Sequence, residues 1–442
     1  MIYQILRFPL VVLFYFYYRR IYILNKKNIP SSAPTLIASN HSTAFMEQIL
    51  VAGLQWRSIY FWARGSVFEE KWSFPSIFRQ AHLIPIWRPE EGFKKMHRNK
   101  QIFEASKGSL LEGNMLYISP EGNAVPEKRL RTFKTGTARI ALLTAAAKDF
   151  EEDVFIVPTG VNYTYHCDFR SEVIMSYGEP INVKNYKELY LINEIAAAKQ
   201  LTEDLKEALT QEVIIINNKE DERLVEQLHV MLRNEHQFYN DSTTSNNQER
   251  LAIEQAPANL CNNLDEDQKL SLGGDTTAYF NTLQKNNLTD KAVEQKGSFL
   301  LGKAIKSVVL SPFALLGWIG GALPVKAARY LRNSNVEDKQ FWAPMAVVFS
   351  IPVWLVYSLV ICITAAFWLG WAALLLPFAL IGLQYVAFRN KEDWNDVLAN
   401  ARYSSWKKKN PAEAHNLEED RKEILHKFEE LKSTVKTPSA LK

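Results

Sequence analysis

His41 stands at the end of a short apolar run, Thr35 to Ser39, with Asn40 before it and Glu47 six positions later. These types at this spacing pair a base with an orienter. A neutral imidazole takes a proton on one nitrogen while an anion holds the N–H of the other. On an ideal helix, six residues at about 100° each put the two groups about 240° apart. His41 is therefore expected in the turn before a helix, with Glu47 reaching back from its first turns. The structural alternative is a histidine bonded to loop backbone and a glutamate placed for the helix dipole.

A second group of residues follows the apolar run Met115 to Ile118. It reads Ser119-Pro120-Glu121-Gly122, then a cationic loop holding Lys128, Arg129 and Arg131, then Phe133-Lys134-Thr135-Gly136. A small-residue helix is expected from Thr137 to Ala147. Strand, acidic turn, cationic loop and helix start together aim side-chain charge and backbone N–H groups at one place, which suits an anion. Taken alone, the same stretch also reads as an ordinary solvated loop between a strand and a helix.

Together the two groups resemble the glycerolipid acyltransferase family, membrane enzymes that acylate glycerol-3-phosphate or lysophosphatidic acid. The family's first block is Asn-His, four residues, then Asp. A subgroup similar to the fungal glycerol-3-phosphate acyltransferases has five intervening residues, as here, where Glu47 replaces the aspartate. Leu83-Ile84-Pro85-Ile86-Trp87-Arg88 matches the second block, an apolar strand followed by arginine. Ser119 to Gly122 with Phe133 to Gly136 match the third, and Val154 to Tyr163 match the fourth. The blocks cover residues 35–165; the last 250 or so residues carry none.

The resemblance implies a general base, His41, that accepts the proton of an acceptor hydroxyl as it attacks a thioester, a role worth ~10²–10⁴ in rate. Glu47 would fix its tautomer. Arg88 and the cationic loop would hold the acceptor's phosphate, and Glu121 and Gly122 carry over as site residues. Glu121 either binds acceptor hydroxyls or shapes the turn. The arginine that the family places two residues after Gly122 is Ala124 here. Arg129, Arg131 or Lys134 would then replace its charge, and Arg131, beside the Phe-Lys-Thr-Gly turn, is the chosen candidate. No cofactor and no metal centre is expected; the acyl donor, acyl-CoA or acyl carrier protein, is a co-substrate.

Lys and Arg number 52 against 48 Asp and Glu, a net charge of +4 that makes no case for nucleic acid. The three cysteines, Cys167, Cys261 and Cys362, are too far apart in sequence for a zinc spacing or a disulfide framework. Residues 341–388 contain no Asp, Glu, Lys or Arg. As helix that stretch runs ~72 Å, enough to cross a ~30 Å hydrocarbon core twice. Spans are expected at 342–363 and 366–388. Basic flanks (Arg329, Arg332 and Lys339; Arg389 and Lys391) put both ends in the cytoplasm. Residues 307–324, broken by Pro312, Gly317, Gly320, Gly321 and Pro324, read as re-entrant rather than crossing. Phe8 to Tyr18, between Arg7 and Arg19-Arg20, is too short to span and reads as an interfacial helix.

The expected fold is an α/β acyltransferase domain, a mixed sheet flanked by helices, with an N-terminal interfacial helix and C-terminal transmembrane helices. The expected divisions are 1–28 anchor helix, 29–215 acyltransferase domain, 216–300 helical and polar insert, 301–390 membrane region and 391–442 charged helical tail. The whole reads as an integral membrane protein with its active site facing the cytoplasm, using an acyl-CoA or acyl carrier protein donor and a glycerophospholipid precursor. Two alternatives stand beside it. Ala124 motivates a lyso-aminolipid acceptor, and glutamate for aspartate motivates a catalytically weak lipid-binding protein.

Overall fold

A strand buried along its whole length must have neighbours on both edges and layers on both faces, and Thr35–Ser39 is such a strand. We describe a computed structural model covering residues 2–69, 75–87, 92, 94, 97–236, 244–294 and 298–435. Among these residues nine strands form one sheet. In chain order they are β1 (Arg20–Leu24), β2 (Thr35–Ser39), β3 (Ile59–Arg64), β4 (Leu83–Ile86), β5 (Met115–Ile118), β6 (Phe155–Tyr163), β7 (Glu172–Tyr177), β8 (Ile181–Asn182) and β9 (Thr244–Ser245). Spatially the order is β4-β3-β5-β2-β6-β7-β1-β9, with β8 also paired to β6. The β4-β3-β5-β2-β6 half is parallel, and β7 turns the sheet by pairing antiparallel with β6.

The parallel half positions the chemistry. β2 lies beside β5, with Ala38 opposite Ile118. Both strands end at the same edge, so the loop carrying His41 and the loop carrying Glu121 emerge side by side. Ligand sites of open α/β sheets gather at these carboxyl ends. β2 continues into helix α2 (Met46–Leu54), whose apolar face, Met46, Leu50 and Val51, packs into the core with Ile37, Ile59, Met115, Val157 and Val161.

Helix α1 (Ile2–Tyr17) buries Tyr3, Phe14 and Tyr17 and leaves Ile5 and Phe8 exposed. Arg7 ties it to the end of α2: its guanidinium donates to the carbonyls of Gly53, Gln55 and Trp56, and lies 4.5 Å over the Trp56 ring. A cation at a helix C-terminus satisfies both orphan carbonyls and dipole. The anchor expected over 1–28 is thus too long, because residues 20–24 are strand β1, hydrogen-bonded to β7. Likewise Thr244 and Ser245, within the expected helical and polar insert, are a short edge strand paired with β1.

Contacts divide the chain into two compact units. One is Met1–Ile214, Asp241–Leu251 and Arg332–Ile351; the other is Ile215–Asn240, Ala252–Leu331 and Pro352–Lys442. The second unit is helical. Its buried polar centre is Asp290, which accepts from the Tyr279 hydroxyl at 2.8 Å, Arg421 Nε at 3.0 Å and Asn234 Nδ2 at 2.7 Å. The tail helix Pro411–Thr434 buries Leu417, Ile424 and Phe428, the stripe the sequence presents.

Among the described residues, two helices are long and apolar enough to cross a membrane by length and composition, within Leu301–Asn335 and Lys339–Lys409. The segment expected to be re-entrant is instead part of one continuous helix, Ser298–Asn335, which runs through Pro312 and Pro324. Its glycines serve packing rather than a break. A side chain at Gly321 would run into the amide of Gln384, and one at Gly317 into the Leu383 carbonyl. Small residues four apart let two helices meet at backbone distance. Beyond Trp342–Leu369, a 3-10 turn, Gly370–Leu375, leads into helix Leu376–Lys409.

His82 is stacked between Tyr3 and Tyr60, with ring centroids 4.3 and 4.2 Å away. Burial lowers its pKa. The folded state therefore prefers neutral His82, and the stability this contributes is present above the unfolded pKa, about 6.5. It is lost as pH falls through the lower folded value. Thermal unfolding of the wild type should weaken as pH drops below about 6.5, and His82→Phe, which keeps both stacks, should remove that part of the slope. An unchanged slope in the variant would refute the assignment.

Candidate active site

His41 sits in the turn between β2 and α2 and is 7% exposed; Glu47, in the first turn of α2, is fully buried. Nδ1 of His41 lies 3.6 Å from Oε2 of Glu47. The other carboxylate oxygen, Oε1, accepts from the Ser42 N–H at 3.2 Å, the Thr43 N–H at 2.8 Å and the Thr43 hydroxyl at 3.0 Å. One oxygen of Glu47 thus clamps the turn and the other faces the imidazole. With Nδ1 directed at the carboxylate, Nε2 is the nitrogen left to handle a substrate proton.

Glu121 joins the two loops. Its Oε1 accepts from the His41 backbone N–H at 2.9 Å, and its Oε2 accepts from both N and Nε of Arg131 at 3.1 Å. Arg131 Nη2 continues to the His41 carbonyl at 3.2 Å, which also accepts from the Val125 N–H at 3.1 Å. Of the two roles left open for Glu121, the structure gives it the shaping of the turn. Arg131, chosen from sequence as the replacement phosphate cation, braces this turn. Its guanidinium faces a carboxylate and a carbonyl, because the chain returns past Glu121 on its way to the next helix.

Gly122 adopts φ +81°, a left-handed turn that glycine accommodates without strain. The exposed Lys134 side chain lies over it: a Cβ there would be 2.9 Å from Nζ. The Lys134 N–H is fixed by the Pro120 carbonyl at 2.8 Å, and helix Gly136–Ala146 begins two residues on. Arg88 lies outside the described residues. Its neighbour Trp87 is held by Asn99, which accepts from the Trp87 N–H at 3.0 Å and donates to its carbonyl at 2.7 Å. Cys167 donates to the Lys339 carbonyl at 3.3 Å, and burial raises its thiol pKa, the opposite of an activated nucleophile.

Sequence reasoning passed over two positioning residues. Asn40 exchanges both hydrogen bonds with Val161 of β6, donating at 2.9 Å and accepting at 2.8 Å, and so fixes the His41 turn to the sheet. Thr43 supplies two of the three donors to Glu47. The only signal for Asn40 was its place beside the histidine; nothing in the sequence marked Thr43. A further bond, from the Ala44 N–H to the Gln340 carbonyl at 3.2 Å, ties the same turn to the residues just before helix Trp342–Leu369. A shallow cleft beside the turn is lined by Asn40, Ser42, Lys128, Arg129, Tyr163 and His166, among others.

A histidine backed by a buried carboxylate thus stands at the carboxyl edge of a mixed sheet flanked by helices, an arrangement chemically suited to a general base. Residues 20–162 match the Acyltransferase family model, and this stretch of the chain is an acyltransferase-family domain. Among curated proteins, glycerol-3-phosphate O-acyltransferase 2 of Saccharomyces cerevisiae is 36% identical over 93 residues. That match covers 21% of this chain and only 12% of the yeast protein's length. Among solved structures, the 1-acyl-sn-glycerophosphate acyltransferase PlsC from Thermotoga maritima aligns with TM-score 0.35 and 16% identity, over 48% of this chain and 78% of that one.

The shared bridge predicts coupling between Glu121 and Arg131. In a double-mutant cycle read by thermal unfolding, Glu121→Gln and Arg131→Gln should be non-additive by on the order of 1 kcal/mol, discounted because the Arg131 side chain is 33% exposed. Additive losses would mean that the two side chains act separately.

Proposed function

We propose that this chain is a membrane-bound O-acyltransferase that moves a fatty acyl group from acyl-CoA or acyl carrier protein to a hydroxyl of glycerol-3-phosphate or 1-acylglycerol-3-phosphate. The observation that carries this reading is the His41–Glu47 pair, placed on an acyltransferase-family domain with Nε2 of the imidazole free for the acceptor. The acceptor hydroxyl attacks the thioester carbonyl while His41 Nε2 takes its proton. The tetrahedral intermediate then expels the thiolate, which recovers the proton from the imidazolium, so acid and base balance over the turnover. Glu47 holds the tautomer and stabilises the imidazolium between the two steps. A thioester is already activated, and no protein nucleophile is required.

Beside Arg131, which Glu121 engages, the cations for an acceptor phosphate are Lys134 at the Gly122 turn and Lys128 and Arg129 along the cleft, Arg129 lying 3.9 Å from Glu127, with Arg88 as the family's second-block arginine. The membrane reading rests on the two long apolar helices and on the Ala44–Gln340 bond, which sets the catalytic turn beside the start of one of them. Ala343 and Val347, in the first turns of that helix, are buried in the core of the catalytic unit. Cytoplasmic orientation follows from the basic flanks.

Purified full-length protein in detergent, given labelled acyl donor, should acylate glycerol-3-phosphate or its 1-acyl product. His41→Ala should lower turnover by ~10²–10⁴. Glu47→Asp withdraws the carboxylate by one methylene and should cost about 10². Product from a lyso-aminolipid alone would keep the mechanism and overturn the phosphate site. No product from any acceptor would favour a lipid-binding role.

The phosphate cations predict a different kinetic signature. Lys134→Gln and Arg129→Gln should raise KM for the phosphate acceptor by about tenfold each, the worth of one charge-assisted hydrogen bond, with kcat little changed. Unchanged KM in both would remove them from the phosphate site.

A further inference from the structure

Three large apolar side chains of the catalytic unit are exposed around one arginine: Ile5 at 61%, Phe8 at 72% and Trp56 at 83%. Ile5 and Phe8 lie on the side of α1 turned away from Tyr3 and Phe14, which the same helix buries. Trp56 follows the C-terminus of α2. Arg7, between Ile5 and Phe8 in the chain, reaches it: the guanidinium lies 4.5 Å over the indole and donates to the Trp56 carbonyl at 3.4 Å. Single exposed hydrophobics are ordinary; three gathered about a cation are not.

More positive charge surrounds the same helix end. Lys26 Nζ donates to the Leu54 carbonyl at 2.7 Å, beside the Gly53 and Gln55 carbonyls that Arg7 holds. Lys27 is exposed and makes no hydrogen bond or ion pair among the described residues. Arg57, next to Trp56, donates to the carbonyls of Pro30, Ala33 and Gly113 and to the Thr35 hydroxyl. Among the described residues no carboxylate stands against any of these four cations. The C-terminus of α2 offers them about half a negative charge, so most of their charge is unmet. Burial and the Arg7 charge together lower the Lys26 pKa, as expected of like charges held close.

Cations without anions, rimming exposed aromatic and aliphatic tips, match a surface that is anionic outside and apolar beneath. The packing points the same way. Tyr3 and Phe14 of α1, Leu50 and Val51 of α2, and Ala343 and Val347 of helix Trp342–Leu369 build one core cluster. That helix, the candidate membrane helix, carries no Asp, Glu, Lys or Arg. Of the stretch expected at the interface, Phe14, Tyr17 and Tyr18 are buried, which leaves the contact to the outward tips.

We infer that Ile5, Phe8 and Trp56 dip into the bilayer interface while Arg7, Lys26 and Lys27 bind the phosphate headgroups of anionic phospholipid. This end of the catalytic unit is thus a lipid-selective contact, built from α1, the end of α2 and the Lys26–Asn28 turn. It rests on the membrane reading above and not on the reaction.

The test uses full-length protein in phosphatidylcholine nanodiscs with a small, equal fraction of brominated phosphatidylglycerol or brominated phosphatidylcholine. Bromine quenches tryptophan on contact, and the difference between wild type and Trp56→Phe isolates the Trp56 signal. Brominated phosphatidylglycerol should quench that signal several-fold more strongly. Lys27→Gln, which breaks no bond, and Lys26→Gln should each cut the preference by up to about fivefold, the value of one basic residue at an anionic surface. Added salt should weaken it too.

Equal quenching by the two lipids would overturn the inference, as would a preference that survives both lysine substitutions or a Trp56 signal that neither lipid quenches. Inorganic phosphate that abolishes the preference at constant ionic strength would assign the cations to a soluble anion instead. Protein that stays in solution without detergent would sink the membrane reading itself. Flotation with vesicles of each lipid then decides the patch: retention on phosphatidylglycerol alone supports it, and retention on neither contradicts it. If the reconstituted protein transfers no acyl group, the reaction falls and the quenching still decides the lipid contact.

Discussion

The Glu121 carboxylate is the link on which the geometry of the catalytic turn depends. One oxygen holds the His41 backbone and the other holds Arg131, so two loops that are 80 residues apart in sequence move as one. The link exists only because β2 and β5 are parallel neighbours, with Ala38 opposite Ile118. Three residues past that level pair, at His41 and Glu121, the chains are within reach of one carboxylate. A slip of one residue would also turn Tyr117 and Ile37 to the wrong faces, and so break core and site together.

Glutamate in place of aspartate becomes intelligible at Glu47. Five intervening residues lengthen the turn, and the longer side chain lets a single carboxylate meet three donors from Ser42 and Thr43 while presenting its other oxygen to the imidazole. The same clamp starts α2, since the Thr43 hydroxyl also accepts from the Met46 N–H at 3.3 Å. The facing of Glu47 to the His41 ring and the start of α2 are thus one arrangement, and neither can change alone.

The apolar C-terminal region joins this picture at Gln340. Its carbonyl accepts from Ala44, and Ala343 and Val347 enter the core that Leu50 and Val51 of α2 also build. A long hydrophobic helix therefore begins as part of the catalytic unit's own packing.

Local pattern in the sequence was enough for the strands and helices around the blocks, the turn placement of His41, the reach of Glu47 from the next helix, and the uncharged stretch 341–388. Each of these follows from neighbours in the chain: hydrophobic period, helix angle, the length of an apolar run. What tertiary structure decided was pairing across distance. Arg131 looked free and is bound to Glu121. Residues 307–324 looked broken by proline and glycine and form part of one helix, in which Gly317 faces the Leu383 backbone and Gly321 the Gln384 side chain. Asn40 showed only its place beside the histidine and Thr43 gave no signal, since a side chain's partner is set by which strands lie side by side. That order is a property of the sheet, and no local window of sequence contains it.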